Sequence, residues 1–403
     1  MSKSPLTSPI KSPSNLPTRT PTRAFSNFSL SPPGKLPGIG GKLSERPLHR
    51  QHWTNNKTAT RAIFGSKKFS EKEMVQMGPF KVSPLGMGTW AWGNKLLWDY
   101  DPSRDTELQK VFDLAVSSGI NIFDTADSYG TGKLNGRSEQ LLGQFIREYP
   151  GSDKVRNNVK IATKLAAYPW RLAPSQWVSA CRASLDRLGT DKVALGQLHW
   201  STSNYNPIQE RLMWDGLVAI YNAGLVEAIG LSNYGPKQLQ KIHKYLSKRG
   251  VPLASVQVQY SLLSNGPQQE DVKAACDDLG LALIAYSPLA LGVLTGKYSL
   301  DDPDSLPSGP RGYLFKQMLP GLDPLLSTLN EVAKARRKTP SQVAINWAMC
   351  KGSVPIPGAK NLVQAKDNLG SLGWRLNAGE IAALEAAAKR APRQMQQNVF
   401  QTS

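Results

Sequence analysis

The sequence predicts an α/β protein, a closed (β/α)8 TIM barrel with an N-terminal β-hairpin, extra helices and a disordered N-terminal extension. Three observations carry that prediction. Strand-like and helix-like patterns alternate from Met74 onward, giving eight strands each followed by a helix. Glycine and proline stand at the segment ends, where such a chain must turn. The stretch Ile122-Phe123-Asp124-Thr125-Ala126-Asp127-Ser128-Tyr129 begins as an apolar strand and closes in a carboxylate and a phenol. A buried carboxylate needs a partner, so this strand end points to a polar site.

Residues 1–70 combine Ser, Pro, Thr, Lys and Arg, with twelve Lys or Arg against the single acid Glu45. They hold a net +11 of the chain's +19, leaving +8 for the other 333 residues. Such a segment cannot bury enough apolar surface to offset its ordering entropy. Lacking an apolar core run, it matches a plastid or mitochondrial transit peptide rather than a secretory signal.

Met74–Met77 and Phe80–Val82 read as a hairpin about Gly78-Pro79, and Leu85–Thr89 as the first barrel strand. Ser103–Ser118 places Leu108, Val111, Phe112, Leu114 and Ala115 on one helical face, and Gly119 stops it. Strand 122–126 leads to a helix from about Arg137 to Arg147. Strand Val159–Thr163 leads to the helix Pro174–Leu188, with proline in its first turn and Gly189 past its end. Strands Val193–Leu198, Val226–Leu231 and Ser255–Tyr260 alternate with helices Ile208–Asn222, Lys237–Lys248 and Gln268–Leu279. Leu281–Tyr286 is the seventh strand, and a Pro/Gly-rich excursion through Arg311 follows. A helix starts at Asp323-Pro324, and Thr339-Pro340-Ser341-Gln342 is a capping box opening the next. Val354–Ile356 is the last strand, and helices 361–369 and 377–389 finish the barrel domain, placed at 74–395, before a tail at 396–403. A doubly wound open sheet is the alternative. Its glycine-rich turn is missing after Leu85-Gly86-Met87-Gly88-Thr89-Trp90.

Composition narrows the function. No apolar run is long enough to cross a bilayer, and neither membrane nor nucleic acid is an expected partner. Cys181, Cys276 and Cys350 lack metal-ligand spacing, so no metal and no disulfide framework is expected.

In a barrel, strand C-termini converge on one face. That places Asp124 and Tyr129 beside Lys164, which closes the third strand, and His199, which follows the fourth. A nearby ammonium favours a phenolate, so Lys164 is expected to lower the Tyr129 pKa, with Asp124 holding Lys164 charged. His199 is placed to orient a carbonyl oxygen, and the four together to stabilise and protonate an oxyanion. None of these side chains carries a hydride, so a cofactor must. Gly130-x-Gly132-x-x-x-Gly136 is out of register for a dinucleotide fingerprint, and Gly292 to Lys297 is one residue short of a P-loop. The loops after strands seven and eight, with Ser287-Pro288-Leu289, Lys297, Arg311 and Gly358-Ala359-Lys360, are the expected phosphate site.

Seven motifs occur in one order: Asp124 to Tyr129, Ala162-Thr163-Lys164, Gln197-Leu198-His199-Trp200, Gly230-Leu231-Ser232-Asn233, Gln257-Val-Gln-Tyr260, Tyr286-Ser-Pro288 and Ile356-Pro357-Gly358. On these the chain resembles the aldo-keto reductases from Met74 onward. Gly88 to Gly93, Ala167 to Arg171, His199 to Thr202 and Asn398 to Thr402 resemble a plant plastid branch that reduces pyridoxal, which implies the plastid stroma as the location and accounts for the basic segment. The resemblance implies NADPH-dependent reduction of a small aldehyde, with Tyr129 as acid, Lys164 and Asp124 tuning it, and His199 polarising the carbonyl. It implies that Ser232, Asn233 and Gln257 hold the nicotinamide amide and that Tyr286 stacks on the ring, near Thr89 and Trp90. Ser287, Leu289, Gly292 and Lys297 would line the pyrophosphate under Arg311. Gly358, Lys360, Gln364, Asp367 and Asn368 would surround the adenosine. Many relatives carry Arg where Gln364 stands, so the preference for NADPH over NADH rests on Lys360 and Arg311. Trp90, Trp92, Trp170 and Trp200 are expected to wall the substrate pocket. The alternative function is a nicotinamide-binding regulatory subunit resembling the potassium-channel β subunits.

Overall fold

The computed structural model describes residues 67–132 and 135–402. Most of the segment expected to be disordered therefore lies outside the described residues. Within them, Phe69 is already buried in the core, ahead of the expected domain start at 74.

β1 (Val75–Met77) and β2 (Phe80–Val82) form an antiparallel hairpin in the register Val75 to Val82. The remaining strands are β3 (Met87–Gly88), β4 (Ile122–Asp124), β5 (Lys160–Leu165), β6 (Val193–Leu198), β7 (Val226–Ser232), β8 (Leu253–Gln259), β9 (Ala282–Tyr286) and β10 (Ser353–Pro355). All eight are parallel, and each pairs with its neighbour in sequence from β3 to β10. Closure comes from the Gly86 N–H donating to Pro355 O at 2.9 Å and the Gly88 N–H donating to Pro357 O at 3.3 Å. A Cβ at Gly88 would lie 2.8 Å from Ile356 O, so glycine is what lets the two ends meet. The open sheet is thereby excluded.

The hairpin plugs the N-terminal mouth of the barrel. Met77, Phe80 and Val82 pack on Ala162, Ala194, Ala228, Ala254 and Ala282, small residues from the lower parts of five strands that leave room for the larger plug. With one end filled by apolar side chains, the polar residues of the strands are left to the other.

The outer helices start and stop where local chemistry dictates. Pro174, Pro207, Pro236, Pro267 and Pro340 each occupy a first helical turn, where a missing N–H costs nothing. Thr339 caps its helix by accepting from the Gln342 N–H at 3.2 Å, and Gly189 and Gly280 end theirs in the left-handed conformation. One expectation needs correction. The excursion after β9 contains a helix, Gly309–Met318, which Pro310 near its start disguised as loop. The tail after 395 is folded against the barrel, with the Met395 N–H on Leu263 O at 2.8 Å and Thr402 buried.

One close approach gives a stability test. A Cβ at Gly143, on the helix Arg137–Arg147, would sit 2.2 Å from the carbonyl oxygen of Leu188, which is backbone and cannot swing away. Gly143→Ala should therefore cost about 1–3 kcal/mol despite its better helix propensity, read as a lower denaturant midpoint at unchanged slope.

Candidate active site

The C-terminal ends of the strands surround a cavity of about 530 Å3. Asp124 closes β4, Lys164 stands near the end of β5, and His199 follows β6 directly. Ser232 ends β7, Gln257 lies late in β8, and Tyr286 ends β9. All of these, with Tyr129, line the cavity.

At its floor Asp124 and Lys164 form an ion pair, both almost wholly buried. Lys164 Nζ also donates to Thr125 O at 3.0 Å. The second Asp124 oxygen, Oδ2, accepts from Gln197 Nε2 at 3.0 Å and Gln257 Nε2 at 2.8 Å. Two buried charges thus have an ammonium, two amides and a carbonyl among them, the condition for keeping them ionised away from water. Burial pushes the Lys164 ammonium below its ordinary value while Asp124 opposes the change.

Tyr129 stands over this pair. Lys164 Nζ lies 4.8 Å from its ring centroid, and the His199 ring approaches it edge-on at 5.7 Å. The expected depression of the phenol's pKa is not what this environment produces. Burial and the negative charge of Asp124 push Tyr129 well above 10, because the hydrogen bonds of Lys164 go to Asp124 and Thr125. His199 is driven the other way, well below 6.5, by burial and by the charge of Lys164, so its ring is neutral at pH 7. Its Nδ1 lies 3.3 Å from Ser128 Oγ, and its backbone carbonyl accepts from Asn233 Nδ2 at 3.1 Å.

The opposite end is cationic. Arg311 stacks on Trp98 with its guanidinium carbon 4.3 Å from the ring, and Lys360 Nζ donates to Trp98 O at 3.1 Å. Burial and the neighbouring Arg311 push Lys360 down. Arg311 Nε is buried without a hydrogen-bond partner among the described residues. Lys297 lines the same region, and the loop Ser287, Ala290, Leu291 and Gly292 holds a run of positive φ angles. Such backbone strain persists only where the surroundings over-determine it. Three cations, an orphaned donor and a strained loop at one end, with amides and a tyrosine at the other, suit an anionic dinucleotide.

Not every expected site residue faces the cavity. Ser232, Asn233, Gln257, Tyr286, Ser287, Leu289, Gly292, Lys297, Arg311, Gly358, Lys360, Gln364, Asp367 and Asn368 all line it. Three of them also brace its wall. Gln364 Oε1 accepts from the Lys360 N–H at 2.8 Å, Asp367 accepts from Thr339 Oγ1 at 2.7 Å, and Asn368 Nδ2 donates to Gly358 O at 3.1 Å. Thr89 is wholly buried behind the wall, donating to Asp124 O at 2.9 Å. Of the four tryptophans only Trp90 lines the cavity. Trp92 is a core residue against Phe145 whose Nε1 donates to Ala359 O. Trp170 is 64% exposed and stacks on Tyr168, and Trp200 packs beside His199 with Phe400 on its face.

Sequence reasoning assigned no role to Gln197, which hydrogen-bonds Asp124, or to Asn398, which lines the cavity. The first had a usable signal: Gln197 stands two residues before His199, and alternate residues of a strand share a face. The second had none in local pattern, since it comes from a tail.

Replacing Lys164 by Met should leave Asp124 buried and short of its cation, costing about 3–5 kcal/mol of folding stability. Adding Asp124→Asn to that variant should recover much of the loss, read by denaturant unfolding of both proteins.

A family model described as the Aldo/keto reductase family matches residues 84–389. Over 330 residues the chain is 61% identical to the chloroplastic pyridoxal reductase of Arabidopsis thaliana, covering 82% of this chain and 90% of that protein. It is 33% identical over 315 residues to an uncharacterized oxidoreductase of Mycobacterium tuberculosis, covering 77% and 90%. Among solved structures, a thermostable aldo-keto reductase in complex with epalrestat aligns with a TM-score of 0.60 at 26% identity, over 78% of this chain and 99% of that one. The glycerol dehydrogenase of Gluconobacter oxydans aligns with a TM-score of 0.63 at 22% identity, over 81% and 98%, a likeness of fold. The family match spans the barrel from before β3 to beyond β10 and takes in Asp124, Tyr129, Lys164 and His199: the chain belongs to the aldo/keto reductase family.

Proposed function

We propose that this protein is an NADPH-dependent carbonyl reductase whose substrate is a small aromatic aldehyde, specifically pyridoxal, reduced to pyridoxine. The observation that carries the reading is the meeting of a protonated phenol, a neutral imidazole and a buried Lys–Asp pair at one cavity wall. The name of the 61% identical plant relative supplies the substrate.

Each group has a task that its surroundings support. With the Ser128 hydroxyl taken as the donor to His199 Nδ1, 3.3 Å away, the ring proton sits on Nε2, which is then the donor that orients the carbonyl oxygen. A neutral ring does this without handing over its own proton. Tyr129 transfers the proton, from its phenol oxygen to the oxygen of the former carbonyl. Lys164 stabilises the phenolate left behind, and Asp124 with Gln197 and Gln257 keeps the ammonium in place. NADPH, when bound, supplies the hydride. Ser232, Asn233 and Gln257 would hold its carboxamide and Tyr286 would back the ring. Lys297 and Arg311 would take the pyrophosphate. Lys360, Gln364, Asp367 and Asn368 would take the adenosine end, with the cations at Arg311 and Lys360 favouring the phosphorylated dinucleotide. Trp90, which lines the cavity, would wall the space for an aromatic substrate. Residues 1–70 would direct the chain to the plastid, in keeping with the chloroplastic label of its relative.

Tyr129→Phe should cut the rate of pyridoxal reduction by about 10²–10⁴-fold while leaving NADPH binding intact, measured by nicotinamide absorbance and by fluorescence titration. Reduction at the parental rate would remove the proposed acid. Among aldehydes, pyridoxal should show a higher kcat/KM than simple aliphatic ones.

The pH dependence has a definite sign. Above about pH 10 an unfolded chain gives up the tyrosine proton that the folded protein retains at Tyr129, so that part of the stability is lost as pH rises. Below about pH 6.5 an unfolded chain takes up a proton that His199 refuses, so stability also falls as pH drops. Ultraviolet difference titration of the parent against Tyr129→Phe should show this phenol resisting ionisation beyond pH ~10. His199→Asn should flatten the acid side of the urea-midpoint profile.

A further inference from the structure

Asn233 has a left-handed backbone, φ 63°, and every polar group it owns is engaged. Its N–H donates to Gln257 O at 2.9 Å, its Nδ2 to His199 O and Ser232 Oγ at 3.1 Å each, and its Oδ1 accepts from the Tyr286 hydroxyl at 2.9 Å. The carbonyl accepts the Thr402 N–H at 3.2 Å. Thr402 is buried and anchored in turn: its Oγ1 accepts the Gly235 N–H at 2.9 Å, and its carbonyl accepts Gln268 Nε2 at 3.0 Å.

Asn398 begins the same segment and lines the cavity. Its Oδ1 accepts the Phe400 N–H at 3.0 Å and its carbonyl the Gln401 N–H at 2.8 Å, a tight turn that leads the chain on to Thr402. Phe400 stacks on Trp200, ring centroids 5.2 Å apart, and Trp200 lies against His199.

We propose that the segment Asn398–Thr402 is a clasp for the nicotinamide end of the site, with Thr402 as the positioning residue that fixes Asn233, and through its Oδ1 the Tyr286 hydroxyl, and with Asn398 setting the turn that delivers Thr402. Thr402 holds a strained backbone by the turn that follows it. A left-handed non-glycine residue costs about 1–3 kcal/mol and stays in place only if its neighbours hold it. Without the clasp, Asn233 and Tyr286 keep their chemistry and lose their orientation. The proposal rests on reading those two residues as nicotinamide contacts.

The test uses the full chain carrying Asn398→Ala or Thr402→Val, the latter removing the acceptor for the Gly235 N–H at nearly constant volume. Each should weaken NADPH binding by roughly 3–10-fold, the effect of one hydrogen bond. The thermal midpoint should stay within about 3 °C of the parent, and Thr402→Ser should restore the affinity. Unchanged NADPH affinity in both variants would overturn the clasp. So would affinity that falls only in step with the thermal midpoint and is not recovered by Thr402→Ser. A parent that binds NADPH but reduces no aldehyde would defeat the proposed function alone, because the clasp is judged on affinity. A parent that binds no NADPH would defeat both.

Discussion

The Lys164–Asp124 ion pair is the constraint around which the rest of the site is arranged. Two charges buried this deeply are tolerable only with close partners, and the groups involved come from four strands of the barrel. Asp124 comes from β4, Lys164 from β5, Gln197 from β6 and Gln257 from β8, which fixes the relative height of those strands at the cavity floor. Once they are fixed, Tyr129 and His199 have little freedom. The phenol lies above the ammonium, and the imidazole lies at the edge of the phenol.

This arrangement separates two kinds of electrostatics within one cavity. At the floor the two charges pair, and burial, joined by Asp124 at the phenol and by Lys164 at the imidazole, sets the protonation of the groups around them. That is why Tyr129 stays protonated and His199 stays neutral. At the far end the charges do not cancel. Arg311 and Lys360 sit close enough for one to depress the other, and the Nε of Arg311 is buried without a partner among the described residues. A neutral reacting group at one end and a polyanion at the other satisfy both ends without changing either.

The plug and the tail show how a barrel spends its two mouths. Alanines in the lower parts of the strands admit Met77, Phe80 and Val82, which close the lower end with apolar contact. The upper end stays polar, and the tail returns across it to the loops after β7 and β8. Backbone hydrogen bonds and the Phe400–Trp200 stack hold it there, without a hydrophobic core of its own.

The sequence by itself determined the alternation of strands and helices, the helix starts at proline and the stops at glycine, and the tetrad's placement on one mouth. Those follow from local rules: periodicity, capping and the convergence of parallel strand ends. Only the tertiary structure decided the rest. Trp90 and Trp92 are two residues apart, yet one meets the cavity and the other Phe145, because a tryptophan's use depends on what packs against it. The sign of the Tyr129 shift depended on which atoms Lys164 actually bonds, and Asn398 reached the site from the far end of the chain. Burial and long-range pairing are properties of the folded whole, and no stretch of sequence carries them alone.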